Sequence, residues 1–588
     1  MNRVLVKIFV FLISLCLYSC GKEDNNITPD NPDLGIMNLD FERRSNYNTS
    51  LPDYWDIGGD GFQISLDDQE KYSGNFSLKM EMKGNPNGKF GVFSGALPIE
   101  TFAGKNVEYK GWIKTKGVKN GNPGLYFRAE DVDNRVQFDQ TYNRGLNGDN
   151  DWTQVSIKMA VNPNAIDIYF GGVLSGEGTV WFDKLELFIN GVKYIDPEPK
   201  TTLSQEEITA LKKYIYPLRT YEPDGGDTKD LDALNMLIGS SKVVALGEVS
   251  HGSSEIFKMK NRIIQYLAVN HGFDIFSIEA AMPESYKLND YTIRGEGDPK
   301  KLIAGMHFWT WRTEEVLNMV EWMHKFNQPK QRIEFTGFDM QSYTGAINEF
   351  SDAFKGNDEL ENKIAGLLKI LAKTSYGNIN ISGNEKKELD TILSLLQESI
   401  EASSFQTSYK IWLQQNIVII QQYLGYNDYN RDKCMADNFI WIKEHNPNSK
   451  LVIWAHNGHI QKTNKVMGYH LAQKLAENYT TFGFTFFDGS FTAAGSKGLT
   501  SYIAAQADPG KLEYFLNQLN EAIFVLDMKK IKSDKPKNIE WLLERLSYRS
   551  VGSVGGGQYE FKTGKISDDF DYLIFIKTST PSVLLPNS

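Results

Sequence analysis

The stretch "VVALGEVSHGSSE" (243–255) runs through small apolar residues, stops at Gly247, and sets Glu248 and His251 three positions apart. Further along, "FDIFSIE" ends at Glu279 and "EFTGFD" at Asp339. "LVIWAH" ends at His456, with Asn457 and His459 close behind. Three of the eight histidines fall in two short stretches, each at the end of an apolar run. Histidine titrates near neutral pH and can take a proton from water. A carboxylate beside it fixes its tautomer and stabilises its charged form. A second imidazole can hand a proton to a departing alkoxide. Two histidines and two glutamates therefore suffice to hydrolyse an ester with activated water and no covalent intermediate.

Other chemistries are less well served. There is no G-x-S-x-G, the mark of a serine nucleophile on a strand–helix elbow. Cys434 lies in the helical pattern "NRDKCMADN" and reads as a small packed residue. Glu248-x-x-His251 and His456-x-x-His459 match neither H-E-x-x-H nor CxxC, so no metal and no other cofactor is expected. The alternatives are a non-enzymatic surface protein that binds glycan or a small ligand, and a metal- or haem-binding protein using the same histidines. A single strand-end acid is more simply a helix cap, and Asp339 alone reads that way. The ensemble does not.

Groups so far apart in the chain meet only if strands bring them to one edge. Beyond residue 205, strand-like runs at "KVVALGE", "FDIFSIEA", "IEFTGFDM", "KLVIWAHN", "TTFGFTFF", "AIFVLDM" and "DYLIFIKT" alternate with helical patterns. Near-continuous apolar strands suit a sheet buried on both faces, and such sheets bind ligands beyond their carboxyl ends. After His251, the spacing of Ile256, Met259, Ile263 and Leu267 predicts a helix that Ser253 or Ser254 starts and Gly272 ends. The expectation for 205–588 is a three-layer α/β domain with a mostly parallel sheet and a helical insertion at about 347–445.

Residues 36–195 carry a different pattern. Short runs with a period of two, such as Val155, Ile157, Met159 and Val161, are separated by Gly, Asn, Pro and Asp turns. A β-sandwich of the jelly-roll kind is expected, followed by a linker at 196–204. Its strands resemble carbohydrate-binding modules, which implies glycan as a partner. Tyr54, Trp55, Trp112 and Trp152 themselves read as sandwich core or rim.

The net charge of −11 and the lack of a basic patch argue against nucleic acid as a partner. At the start, Arg3 and Lys7 precede an apolar stretch from Ile8 to Leu17, a pattern that reads as a signal peptide over 1–20. "LYSC" resembles a bacterial lipobox. That implies lipidation of Cys20, a flexible tether at 21–35, and a lipid-anchored protein of the cell envelope, at the outer membrane.

The large domain resembles the erythromycin esterase family. "ALGEVSHGSSEIFKMKNRIIQYLAVNHGFDIFSIEA" carries G-E-x-x-H-G, an arginine-bearing helix and G-F-x-x-x-x-x-E. "FWTWRTEEVLNMVEWMHKFN", "FTGFDMQ", "NRDKCMADNFIWI" and "WAHNGHI" follow in the family's order. The resemblance spans roughly 205–588. It implies metal-independent hydrolysis of a small-molecule ester or macrolide-type lactone. By the same resemblance His251 is the general base, Glu248 and Glu279 orient or polarise it, and His456 holds the carbonyl or protonates the leaving oxygen. His459, Arg262, Asn457, Asp339 and Arg431 take supporting or substrate-binding places. Trp311 lines the substrate side, while Trp309 is better read as core.

Overall fold

The computed structural model describes residues 37–586, apart from 46–47, 85–87, 132–134, 142–145, 197–199, 426–429, 496, 505 and 556–559. The expected signal peptide, the tether and Cys20 lie outside the described residues. Among the described residues no helix is long and apolar enough to cross a membrane. The chain falls into two compact units that change over between Thr202 and Leu203.

The first unit is built from β1 (Asp56–Gly58), β2 (Gln63–Asp67), β3 (Ser77–Met82), β4 (Phe90–Ala96), β5 (Asn106–Lys119), β6 (Pro123–Asp131), β7 (Val136–Gln140), β8 (Gly148–Ala160), β9 (Ala165–Ser175), β10 (Glu177–Ile189) and the short β11 (Val192–Lys193). Two antiparallel sheets result, in the orders β1-β4-β9-β6-β7 and β2-β3-β10-β5-β8. Alternate side chains of both sheets, such as Phe93, Phe127 and Phe170 from one and Met80, Ile113 and Phe182 from the other, share one core. Trp55 is buried in that core against Phe93 and Phe170. Tyr54 ties the edge by donating to the Ala96 carbonyl at 2.7 Å. Trp112 alternates with the core residues Gly111 and Ile113 and so faces outward, where Tyr72 stacks on it at 4.0 Å between ring centres.

The second unit holds a sheet in the order β12-β19-β22-β17-β13-β16-β14-β15. Its strands are β12 (Ile215–Pro217), β13 (Val243–Leu246), β14 (Ile275–Ala281), β15 (Glu334–Asp339), β16 (Leu451–Trp454), β17 (Tyr479–Ala493), β18 (Thr500–Ala504), β19 (Ile523–Asp527) and β22 (Tyr572–Ser579). A separate ribbon pairs β20 (Leu546–Arg549) with β21 (Phe561–Gly564). From β22 to β15 every neighbour is parallel; β12, β18 and β19 pair antiparallel. All seven strand-like runs of the sequence are strands. Alternation divides them between two cores: Val244, Leu246 and Trp454 pack into one, Val243, Ala245 and Ile453 into the other. Helices on both faces complete the three layers. On the first face lies α1 (Ser254–His271), which ends at Gly272 in the left-handed conformation.

Between β15 and β16 the chain leaves the sheet. Here α2 (Thr344–Ala353), α3 (Asp358–Leu371), α4 (Gly383–Ala402) and α5 (Thr407–Tyr423) close a core of their own, with Leu367, Leu396 and Ile420 at its centre. The expected insertion ran to 445. In the structure α6 (Arg431–His445) instead sends Met435, Phe439 and Ile442 into the second sheet core. It belongs to the α/β layers.

Two glycines of "ALGEVSHG" are demanded by crowding at the carboxyl end of β13. Asn457 clamps this point: its Nδ2 donates to the Phe484 carbonyl at 2.7 Å and its Oδ1 accepts the Phe484 N–H at 3.1 Å. A Cβ on Gly247 would stand 2.1 Å from Asn457 Oδ1, and one on Gly252 would stand 1.9 Å from the Thr492 carbonyl oxygen. Gly247→Ala and Gly252→Ala are each expected to destabilise the large unit by about 1–3 kcal/mol through overpacking. Urea unfolding of the full chain reads this out; an unchanged midpoint would show that the neighbours yield freely.

Candidate active site

In the parallel register Leu246, Trp454 and Ile278 stand level, so the residues that follow them emerge side by side. Strand order β13-β16-β14-β15 then sets Glu248, His456, Glu279 and Asp339 in a row along one edge. The rings of His251 and His456 are 4.9 Å apart.

Glu248 is fully buried and all its visible bonds are charged or strongly polar. Oε1 meets His251 Nδ1 at 2.7 Å. Oε2 accepts from Lys260 Nζ at 2.7 Å and from Trp454 Nε1 at 2.6 Å. Burial opposes its charge, but Lys260 and His251 outweigh burial and hold the carboxyl below its ordinary range. An ionised Glu248 can only accept, so His251 Nδ1 carries a hydrogen, and in the neutral ring the lone pair then lies on Nε2. The His251 side chain keeps 13% of its surface exposed. Lys260 is itself buried, lies 4.3 Å from the centre of the Trp454 ring, and has its pKa lowered to about 8 by burial.

A second charge cluster follows on the next strands. Arg431, the first residue of α6, reaches Glu279 Oε1 and Asp339 Oδ2 at 2.7 Å each. Burial works against charge on Glu279, yet His459 and Arg431 hold its carboxyl well below the usual range. His459 is bonded through Nδ1 to Asp432 at 2.7 Å, and its Nε2 lies 3.3 Å from Glu279 and 2.9 Å from Arg431. Burial disfavours its charge, but Glu279 and Asp432 prevail and push its pKa up to about 10. His456 is the opposite case. Nδ1 accepts the Gly458 N–H at 3.0 Å, and Nε2 donates to the Val551 carbonyl at 2.6 Å. Burial, then the neighbouring His251 and His459, lower its pKa to about 4.

These contacts revise several expectations. His456 is neutral and both its ring nitrogens are engaged, so it is poorly set to protonate a leaving group; its backbone N–H is held by Glu279 at 2.8 Å. Arg262 does not reach the site. It turns to Asp230, at 2.6 Å, and to the Thr220 carbonyl. Asn457 spends its amide on Phe484 and serves the fold. Asp339 is wholly buried beneath Arg431. Trp311, expected to line the substrate side, is the buried member of its pair: its Nε1 donates to the Glu279 carbonyl at 3.0 Å, and its ring lies edge-on to His251 at 6.2 Å. Trp309 is only half-buried. Lys260 was missed, as were Trp454, Asp432 and the Val551 carbonyl. Lys260 had a signal: it falls on the buried stripe Ile256-Lys260-Ile263-Leu267 of α1, where a lysine is out of place unless it is paired. Among the described residues no group of three or more His, Cys, Asp or Glu is arranged to hold a metal ion.

The fold and the edge define a class: a three-layer α/β protein with paired histidines and carboxylates beyond the ends of its parallel strands. The sequence profile of the erythromycin esterase family matches residues 268–579. The chain belongs to that family, which points to a hydrolase. The matched span begins inside α1, so Glu248, His251 and Lys260 precede it. The chain is similar to a putative hydrolase, YbfO, of Bacillus subtilis, at 21% identity over 64% of this chain and 91% of that protein. It is 26% identical to erythromycin esterase type II of Escherichia coli, over 50% of this chain and 80% of the relative. A solved structure described as a succinoglycan biosynthesis protein aligns with 65% of this chain and 98% of its own, at 26% identity and a TM-score of 0.56.

Two tests follow from the electrostatics. Removing Lys260 strands the buried Glu248 charge, so Lys260→Met should cost about 3–5 kcal/mol, measured by denaturant unfolding. Stability should also peak near the ordinary histidine pKa of about 6.5. As pH falls from there toward about 4, the unfolded chain binds a proton that His456 refuses, and stability drops. As pH rises, the stability His459 contributes is lost on the way to about 10. Lys260 acts in the reverse sense above about 8, so the alkaline loss is concentrated between about 6.5 and 8. The midpoint of unfolding against pH checks this, and His459→Asn should flatten the alkaline limb.

Proposed function

We propose that this chain hydrolyses a carboxylic ester, of which a macrolide-type lactone is one form, with water activated by His251. The observation that carries the reading is the Glu248–His251 bond at 2.7 Å, which leaves His251 Nε2 as a base with its ring partly exposed. In this reading Nε2 takes a proton from water as the water oxygen attacks the carbonyl carbon. Ionised Glu248 stabilises the imidazolium that forms. The Arg431 guanidinium, paired with Glu279 and Asp339, supplies N–H donors for the developing oxyanion. The C–O bond to the alcohol then breaks, and the alkoxide recovers the proton from His251. His456 positions the site: fixed by Val551 and Gly458, it packs beside the base and carries no proton of its own in the reaction. No nucleophilic side chain is used.

The descriptions of the two relatives, as a hydrolase and an erythromycin esterase, support the reaction class. The signal-like start and Cys20 support a lipid-anchored place in the outer envelope. The outward pair Tyr72–Trp112, with Trp152 edge-on to Tyr72 at 5.9 Å, supports glycan as a partner of the first unit.

Purified full-length protein, assayed on small aryl esters and a macrolide panel, is expected to release acid and alcohol. His251→Ala should lower kcat/KM about 10²–10⁴-fold. Hydrolysis that persists undiminished in that variant would remove His251 from the reaction.

A further inference from the structure

Beside the charged edge lies a cavity of about 290 Å³. Its floor is Ala281, where β14 ends, and Gln341, two residues beyond the end of β15; its far wall comes from the helical lobe, with Ser375, Tyr376 and Tyr423. Two features tie it to the site. Gln341 donates through Nε2 to Asp339 Oδ2 at 2.9 Å, the oxygen that also takes Arg431. The Tyr376 phenol, raised to about 12 by burial and then by Asp339, feels the same charges.

The lining is specific in its chemistry. It contains no lysine and no arginine, so nothing there favours a phosphate or carboxylate. Its single ionisable cation, His307, stands 3.7 Å from the buried carboxylate of Glu284. That pair offers no net charge to a ligand. Tyr343, Tyr376 and Tyr423 form an aromatic wall, with Tyr343 and Tyr423 edge-to-face at 5.1 Å. Beside it stand Ser342, Thr344, Ser375 and the Gln341 amide. Ser342 is oriented: its hydroxyl donates to Glu284 Oε1 at 2.5 Å and its oxygen accepts the Thr344 N–H at 3.2 Å, which leaves one lone pair. The second oxygen of Glu284 is buried with no hydrogen-bond partner, which leaves acceptor capacity behind this wall. The volume falls just short of the roughly 300–1,000 Å³ of small-molecule sites. It has room for one ring.

We propose that this cavity binds a neutral, polyhydroxylated ring, a glycosyl group, borne by the ester that the neighbouring site cleaves. Aromatic faces pack against the apolar C–H faces of such a ring, and fixed hydroxyl and amide groups pair with its hydroxyls. A purely apolar ring would leave the polar groups unmatched. That the ring belongs to a substrate rests on the hydrolytic reading above; that the cavity binds it does not.

The test separates the two. Full-length protein is titrated with simple methyl glycosides and, as a control of similar size, cyclohexanol, by saturation-transfer NMR. Ser375 is exposed, so Ser375→Trp fills the cavity with little risk to the fold. Glycoside binding that is lost in Ser375→Trp, with cyclohexanol silent, is the expected result. Cyclohexanol binding in preference to glycoside, or glycoside binding that Ser375→Trp leaves intact, overturns the assignment; the latter places any sugar elsewhere, as in the first unit. With a glycosyl-bearing aryl ester, Ser375→Trp should raise KM about tenfold, or about 1.4 kcal/mol. If glycosides bind but no ester is cleaved, the cavity stands and the hydrolytic reading falls.

Discussion

The large unit depends on a carboxylate kept charged where water cannot reach it. Glu248 sits at the end of a strand buried on both faces, and its oxygens are met by an imidazole, an ammonium and an indole N–H. Each partner comes from a different part of the framework: His251 from the turn after β13, Lys260 from α1, Trp454 from β16. The carboxylate therefore fixes the turn, the helix and the neighbouring strand to one another. It also fixes the tautomer of His251, and through it the only imidazole nitrogen in the group with no partner drawn to it. A neutral Glu248 would lose the ion pair with Lys260 and no longer require a hydrogen on His251 Nδ1.

Along the edge the protein sets neighbouring groups of one kind to opposite states. His456 and His459 are three residues apart, yet burial, with His251 and His459 beside it, keeps the first neutral, while carboxylates keep the second charged. Strand order does this. β16 stands between β13 and β14, so His456 is placed beside His251, while the short helical turn that follows carries His459 toward Glu279 and Arg431. The separation keeps the face beside His251 apart from one where each cation is already paired with carboxylates.

Much of this was legible before any coordinates. The seven apolar runs are strands because continuous apolar sequence is what burial on both faces demands, and their ends mark the site because chain polarity places them together. Glu248, His251, Glu279 and His456 followed from that, whereas Arg431, which opens a helix, came from the family resemblance. What the sequence hid were partners contributed across long separations. The Val551 carbonyl lies in a segment with no periodic pattern, and a backbone oxygen has no residue signature. Arg262 looked like a site residue because it lies on the right helix, but it faces Asp230; Lys260, two residues earlier and about 200° away on the helical wheel, faces Glu248. The register of a helix against a sheet decides such cases, and periodicity alone places the stripe without naming which polar residue within it is paired. The antiparallel strands β12 and β18 are short or partly exposed and lack the continuous apolar signal.

The helical lobe between β15 and β16 closes its own core and returns to the sheet through α6, whose first residue is Arg431. Its surface loops also wall the aromatic chamber. Substitutions at Ser375 or Tyr376 alter a boundary of that chamber without entering either sheet core. On the proposed reading, selectivity and reactivity lie on separate parts of one chain, so redecorating the lobe would change the guest admitted and leave the proton-handling edge in place.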